Sequence, residues 1–171
     1  MDLILTAYKD RGRELMRELA GLGLFWQTDF EDVVMGQVED LHRFLDELEK
    51  REPESLSRLT PIRISFNFSP ENVAEEFKKV ATQFIDEINK NETFCVKIAR
   101  RGLKGKFLAQ DAAKDVGTHV HDLLEGKHGV RPKADLEDPD KALIFETMMK
   151  RCGAGLVSKE MRRKCRYLKL P

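Results

Sequence analysis

Between residues 3 and 68 the chain switches repeatedly between a hydrophobic period of two and one of 3.6, and that ordering limits its fold more than any other feature. Residues 3–8 are an aliphatic run closed by the charged break Lys9-Asp10-Arg11-Gly12, the pattern of a strand. Leu15, Met16, Leu19 and Leu22 then recur at helical spacing, with Gly21 and Gly23 to stop the helix. Residues 24–28 and 33–35 are two short strand patterns flanking an acidic turn at 29–32. Val38, Leu41, Leu45 and Leu48 mark a second amphipathic helix that ends before Pro53. Ile62-Arg63-Ile64-Ser65-Phe66-Asn67-Phe68 alternates apolar and polar throughout, as a strand with one buried face does. The order is βαββαβ, and two helices on one face of an antiparallel sheet make a ferredoxin-like unit over residues 1–68.

A second unit is expected over residues 69–171. Ser69 has the chemistry of an N-cap, with Pro70 in the first helical position. Val73, Phe77, Val80, Phe84 and Ile88 form one stripe of the following helix. Phe94, Val96 and Ile98 alternate with Thr93, Cys95 and Lys97 in a strand. Leu108, Ala112, Val116, Val120 and Leu124 give another helix, which Gly126 should stop. Residues 129–139 are loop-like apart from a short strand at 134–136. Residues 142–149 are a nearly unbroken apolar run suited to a strand buried on both faces, and 153–157 supply a last strand. The fold class is α+β: a ferredoxin-like domain followed by a smaller α/β domain.

Charge divides the chain. Lys plus Arg and Asp plus Glu both number 30, a net charge of zero that excludes a uniformly basic, histone-like protein. Residues 1–60 nevertheless hold 8 basic and 14 acidic side chains, and the remainder 22 and 16. The second half thus has the means to meet an acidic partner. Its basic residues cluster twice. Lys97, Arg100, Arg101, Lys104 and Lys106 fall within ten residues that contain no acid and include Gly102 and Gly105. Backbone amides of such a turn at a helix start, with cations beside them, hold phosphate oxygens. From Lys150 onward come Lys150, Arg151, Lys159, Arg162, Arg163, Lys164, Arg166 and Lys169, against Glu160 alone. The pair of clusters is the electrostatic footprint of a nucleic-acid backbone binder.

Other chemistry has less support. His119 and His121 lie two apart on a helix and diverge, so they do not form a metal pair. His42 and His128 lack a Ser or Cys partner at readable spacing. Cys95, Cys152 and Cys165 are odd in number and form no CxxC pair, which fits a reducing compartment. Cys152 and Cys165 sit among basic residues that would lower a thiol pKa, but without an acid–base set they read as bystanders. Asp135, Asp138 and Asp140 surround Pro139 and suit turn-making as well as metal binding. Phe25 and Trp26 have the rings to stack on a base, yet strand aromatics usually pack inward. No glycine-rich phosphate loop and no apolar run of membrane-spanning length is present, so neither a cofactor nor a membrane is expected.

Three stretches of the second unit resemble the THUMP domain, an RNA-binding module of tRNA-modifying proteins. Residues 94–102, Phe-Cys-Val-Lys-Ile-Ala-Arg-Arg-Gly, are similar to that family's strand ending in basic residues and glycine, and residues 111–124 to the helix after it. Lys133-Ala134-Asp135-Leu136-Glu137-Asp138-Pro139-Asp140, running into Leu143-Ile144-Phe145-Glu146, resembles its V-D-L-x-x-P-D loop and the next strand. The first unit fits the ferredoxin-like domain that usually precedes THUMP. The segment at 155–159 is similar to the end of free-standing THUMP adaptors of tRNA cytidine acetyltransferase.

The resemblance implies a cytoplasmic tRNA-binding adaptor that grips the acceptor stem and the 3′ CCA end. Its partner would be a separate modification enzyme, an RNA acetyltransferase that forms 4-acetylcytidine. Only 14 residues follow Val157, whereas a fused catalytic domain needs roughly 100 or more, so no enzymatic activity is expected. The residues expected to contact RNA are Lys97, Arg100, Arg101, Lys104 and Lys106, with Lys159, Arg162 and Arg163 extending the track. Two other classes compete: a protein-interaction module using the acidic helix at 39–52, and a small phosphate hydrolase of the acylphosphatase kind on a ferredoxin-like fold.

Overall fold

The computed structural model describes residues 1–171 and contains two compact units. The first comprises Met1–Arg63 and Glu160–Lys169, and the second comprises Ile64–Lys159 with Leu170–Pro171.

In the first unit, strands β1 (Asp2–Ala7), β2 (Leu24–Gln27), β3 (Val33–Gln37) and β4 (Leu56–Ile62) form one antiparallel sheet in the order β2-β3-β1-β4. Helix α1 (Gly12–Glu18) follows β1, and α2 (Leu41–Arg51) follows β3. Asp40 caps α2 by accepting from the Arg43 N–H at 2.9 Å, and Glu52 closes it in the left-handed conformation. Leu3, Leu5, Leu15, Leu19, Leu48 and Leu59 are fully buried, so the helical stripes seen in the sequence are the faces turned to this core. Phe25 leans on Phe44 at 5.9 Å between ring centroids, whereas Trp26 is 44% exposed on β2 and is not core.

The closing strand of this sheet is not the alternating run at 62–68. It is β4, whose sequence Leu-Ser-Arg-Leu-Thr-Pro-Ile does not alternate and contains Pro61. Pro61 is tolerated because β4 is an edge strand. On that outer edge the Leu59 N–H donates to the Tyr167 carbonyl at 2.8 Å, and Pro61, two residues on, has its missing N–H on the same side. The segment after helix α5 (Lys159–Lys164) thus lies along β4, with Tyr167 and Leu168 buried. The tail, expected with the second unit, belongs mainly to the first.

The second sheet has the order β5-β8-β7-β6, from β5 (Ile64–Asn67), β6 (Phe94–Arg101), β7 (Lys141–Met148) and β8 (Arg151–Ser158). The alternating run becomes β5 here, antiparallel to β8, because Phe66 packs edge-on against Phe77 and Phe145 of the second core. β7 is central, parallel to β6 and antiparallel to β8.

Helix α3 (Val73–Thr82) begins after a turn in which Asn72 Oδ1 accepts from the Ser69 N–H at 2.7 Å, so Ser69 opens the turn and is not the cap. It ends six residues before Ile88, and a 3-10 turn at Ile85–Glu87 continues the apolar stripe. Helix α4 (Ala109–His128) passes through Gly126 and stops only at Gly129, which takes φ 68°. Phe77 stacks on Phe145 at 4.7 Å and meets Phe68 edge-on at 5.1 Å, at the centre of the core. Phe77→Ala is expected to lower unfolding free energy by about 3–5 kcal/mol, as a shift in the urea midpoint would show.

Candidate nucleic-acid interface

Parallel pairing of β6 and β7 places Arg101 opposite Met148, so the two strands end together. The segment after β6, residues 102–108, and the β7–β8 turn at Met149 and Lys150 therefore leave the sheet side by side. The Met149 N–H donates to the Arg101 carbonyl at 3.0 Å. Gly102 has φ +78°, and a Cβ there would lie 2.4 Å from Met149 Sδ, so glycine is what lets the two turns touch. Leu103 and Gly105 are also left-handed, and Phe107 anchors the loop by packing edge-on against Phe68 at 5.8 Å.

Five cations converge on this end. Arg100 donates from Nη1 to the Gly102 carbonyl at 2.7 Å, and its guanidinium carbon lies 5.9 Å from the Phe107 ring centre. Lys104 and Lys106 are exposed on the loop, and Lys150 and Arg151 are exposed at the hairpin. Glu71 is an acidic neighbour. Its carboxyl is held below the ordinary range first by the Ser69 hydroxyl, then by its own backbone N–H, and further by Lys150 and Lys106. Both lysines thus act on the same carboxylate.

The other expected contacts are arranged differently. Arg101 turns inward and pairs with Glu146, whose side chain is 0% exposed on the central strand. Its task is to neutralise a buried carboxylate. Lys97 lies back along β6, beside α4. Lys159 pairs with Asp138 at 2.9 Å and with Asp140 at 3.9 Å. Arg162 and Arg163 sit on α5 in the first unit, Arg162 half-buried and Arg163 exposed. Elsewhere in the tail Lys164 pairs with Glu160 at 2.7 Å, and Arg166 with Glu49 at 3.0 Å and Glu52 at 2.7 Å. Much of the second basic cluster is thus matched by carboxylates, and part of the acidic charge of α2 is matched in return. Lys150 and Arg151 were legible as basic residues, but only the hairpin brings them to the β6 end.

The aspartates of the 135–140 loop make turns, as one sequence reading held. Asp135 accepts from the N–H groups of Glu137 and Asp138 at 3.0 Å, and Asp140 accepts from the Thr93 N–H at 2.8 Å and its hydroxyl at 3.0 Å. The ligand atoms of His121, Asp122 and Glu125 lie within 4.8 Å of one another. A guanidinium already serves two of them: Arg131 donates to His121 Nε2 at 3.3 Å and pairs with Glu125 at 3.8 Å.

All three thiols are buried. Burial, and then the Glu146 charge, push the Cys152 thiol up, and burial pushes Cys165 to about 11. Nearby basic residues do not activate either one. At pH 8 a thiol of pKa near 11 is about 0.1% thiolate, so iodoacetamide should label Cys165 only on unfolding.

The fold, a strand–helix unit with a basic loop edge, has known counterparts. The THUMP domain model matches residues 71–157, just over half of the chain, and the protein belongs to this family. The chain resembles TrmN from Thermus thermophilus at TM-score 0.65 and 16% identity, covering 91% of this chain and 44% of that one. It resembles PH1313 from Pyrococcus horikoshii Ot3 at TM-score 0.60 and 12% identity, covering 92% and 55%. A 4-thiouridine synthetase solved with RNA and bound ATP matches at TM-score 0.56 and 14% identity, covering 99% and 43%. This chain therefore spans about half the length of the solved structures it resembles. No curated protein sequence matches it.

Because Arg101 neutralises Glu146, Arg101→Ala should cost about 3–5 kcal/mol of stability, and Arg101→Met with Glu146→Leu should recover most of it. Arg100→Ala should leave the urea midpoint near wild type. Urea unfolding of the three variants checks both statements.

Proposed function

We propose that this protein is a tRNA-binding adaptor that holds the acceptor stem and 3′ CCA end and presents the tRNA to a separate modification enzyme. The observation that carries this reading is the convergence of Arg100, Lys104, Lys106, Lys150 and Arg151 at one end of a THUMP-family sheet. Charges of this kind contact phosphates, which fix position without reading bases, so many tRNAs fit. An acceptor end is an A-form stem with an unpaired tail, recognised by shape and backbone. Arg101 and Lys159 leave the set of RNA contacts, and Lys150 and Arg151 enter it. Lys97, Arg162 and Arg163 stay as outlying candidates.

The first unit reads as a ferredoxin-like domain that spaces or orients the RNA surface. Its β2-β3-β1-β4 order and its interleaved helices support this. The partner enzyme in this reading is an RNA acetyltransferase forming 4-acetylcytidine, supported by the likeness of the 155–159 segment to free-standing THUMP adaptors. The protein itself performs no chemistry. The solved structures with a similar fold include a possible methylase and a 4-thiouridine synthetase bound to RNA, and tRNA modification is the setting that this neighbourhood favours.

A gel shift with an acceptor-stem minihelix, with and without CCA, tests the reading. Binding should weaken when CCA is removed, and log affinity should fall with log salt at a slope of roughly −3.5 to −4.5 for about five phosphates. Replacing Lys104, Lys106, Lys150 and Arg151 with Ala should flatten that slope by roughly 1 per lost contact. Absence of any shift favours the protein-interaction reading instead.

A further inference from the structure

A groove of about 740 Å³ runs between β6 and α4 within the second unit, from Phe94 to Ile98 along the strand and reaching Ala109 and Gln110 at the start of the helix. We infer that it is a docking site for an extended, acidic peptide segment of a partner protein, which adds to β6 as a further strand. Three observations converge on that occupant.

First, β6 is the edge of its sheet, and the edge is open. At the start of the strand the chain itself shows how a segment pairs there: the Phe94 N–H donates to the Lys133 carbonyl at 3.2 Å, and the Asp135 N–H donates to the Phe94 carbonyl at 3.0 Å. This parallel bridge is confined to Phe94 and Ala134. Backbone groups of alternate strand residues point the same way, so the N–H and C=O of Val96 and Ile98 continue the row begun by Phe94. Past the bridge no backbone segment pairs with that row. An unpaired edge of this kind is a template for main-chain pairing.

Second, the facing wall has room for a strand. Among the α4 residues that line the groove, Ala113 and Gly117 are small, and a Cβ at Gly117 would come no closer than 4.0 Å to Val96 Cγ2. At roughly 3.3 Å per residue, the edge from Phe94 to Ile98 matches a segment of about five residues.

Third, the charge is one-sided. Lys97 and Lys114 line the groove and no acidic side chain does, while Arg131, the third cation there, is already engaged by His121 and Glu125. The lining also argues against single-stranded RNA as the occupant. Unpaired bases are held by stacking on exposed aromatic rings, and the rings here are Phe94, 2% exposed, and the half-buried His121 that Arg131 engages. Lys97, first grouped with the phosphate contacts, is on this account a peptide contact.

The inference stands apart from the RNA reading, and its test keeps the two separate. Gly117→Leu fills the groove without straining the helix, because a Cβ at Gly117 would lie 4.0 Å from Val96 Cγ2 in ordinary contact. Gly126→Leu, on the same helix where a Cβ meets open space, is the control. A phage-displayed library of random dodecapeptides is selected on the full chain, and synthetic copies of enriched clones are measured by fluorescence anisotropy.

The expected result is enrichment of acidic sequences of extended type. Their binding should fall at least tenfold in Gly117→Leu and stay unchanged in Gly126→Leu, and they should shift the Val96 and Ile98 amide resonances. Minihelix binding should be the same in all three proteins. Absence of any clone sensitive to Gly117→Leu overturns the proposal, as does enrichment of basic peptides. Loss of minihelix binding in Gly117→Leu without loss of peptide binding would assign the groove to RNA.

Discussion

The ion pair between Arg101 and Glu146 organises the second unit. A carboxylate with no solvent exposure on a central strand is tolerable only with a cation against it, and Arg101 supplies that cation from the last position of β6. The same residue is tied to β7 by its backbone: its N–H donates to Thr147 Oγ1 at 3.0 Å, and its carbonyl accepts from Met149. These contacts hold the ends of two parallel strands level. The loop and the hairpin that carry the exposed cations leave from that point. The pair fixes where the exposed cations stand, and its own charges are matched internally.

A basic residue is useful to a polyanion only if the fold has not already matched it. Lys159, Lys164 and Arg166 face carboxylates, and Arg101 turns inward against a buried one. Lys104, Lys106 and Lys150 project outward from turns whose backbone geometry, at Gly102 above all, brings the two edges together, and Arg151 from the first position of β8 beside them. Placement on turns or at the end of a strand explains the difference. A side chain on a short, tightly bent segment meets few neighbours, whereas one on a strand or on a packed tail meets many.

Local pattern carried much of the fold. The helical stripes through Leu45 and Leu48, Phe77 and Val80, and Val116 and Val120 became the buried faces of α2, α3 and α4, because helical burial follows spacing that a sequence displays. The apolar run at 142–149 became the central strand for a similar reason: a strand covered on both faces has no polar positions to offer. The run at 62–68 showed its limit. Its alternation announced a strand but not which sheet would receive it, and Pro61 disguised the true edge strand because its harmlessness depends on which side faces the tail. Gly126 and Ser69 looked like a stop and a cap, yet helix ends were set by Gly129 and Asn72 nearby.

By itself, then, the amino-acid order determined the kinds of element, their succession, the basic character of the second half and the family resemblance in residues 94–146. Those properties are written in spacing and side-chain type, which act over a few residues. Only the tertiary structure decided which cations stay available, that the hairpin joins the β6 loop, and that the tail returns to β4. It also decided that the edge of β6 is left open beside α4. Each of these depends on pairing between segments far apart in the chain, and the register of such pairing is fixed by packing and by the matching of buried charge, neither of which has a local signature.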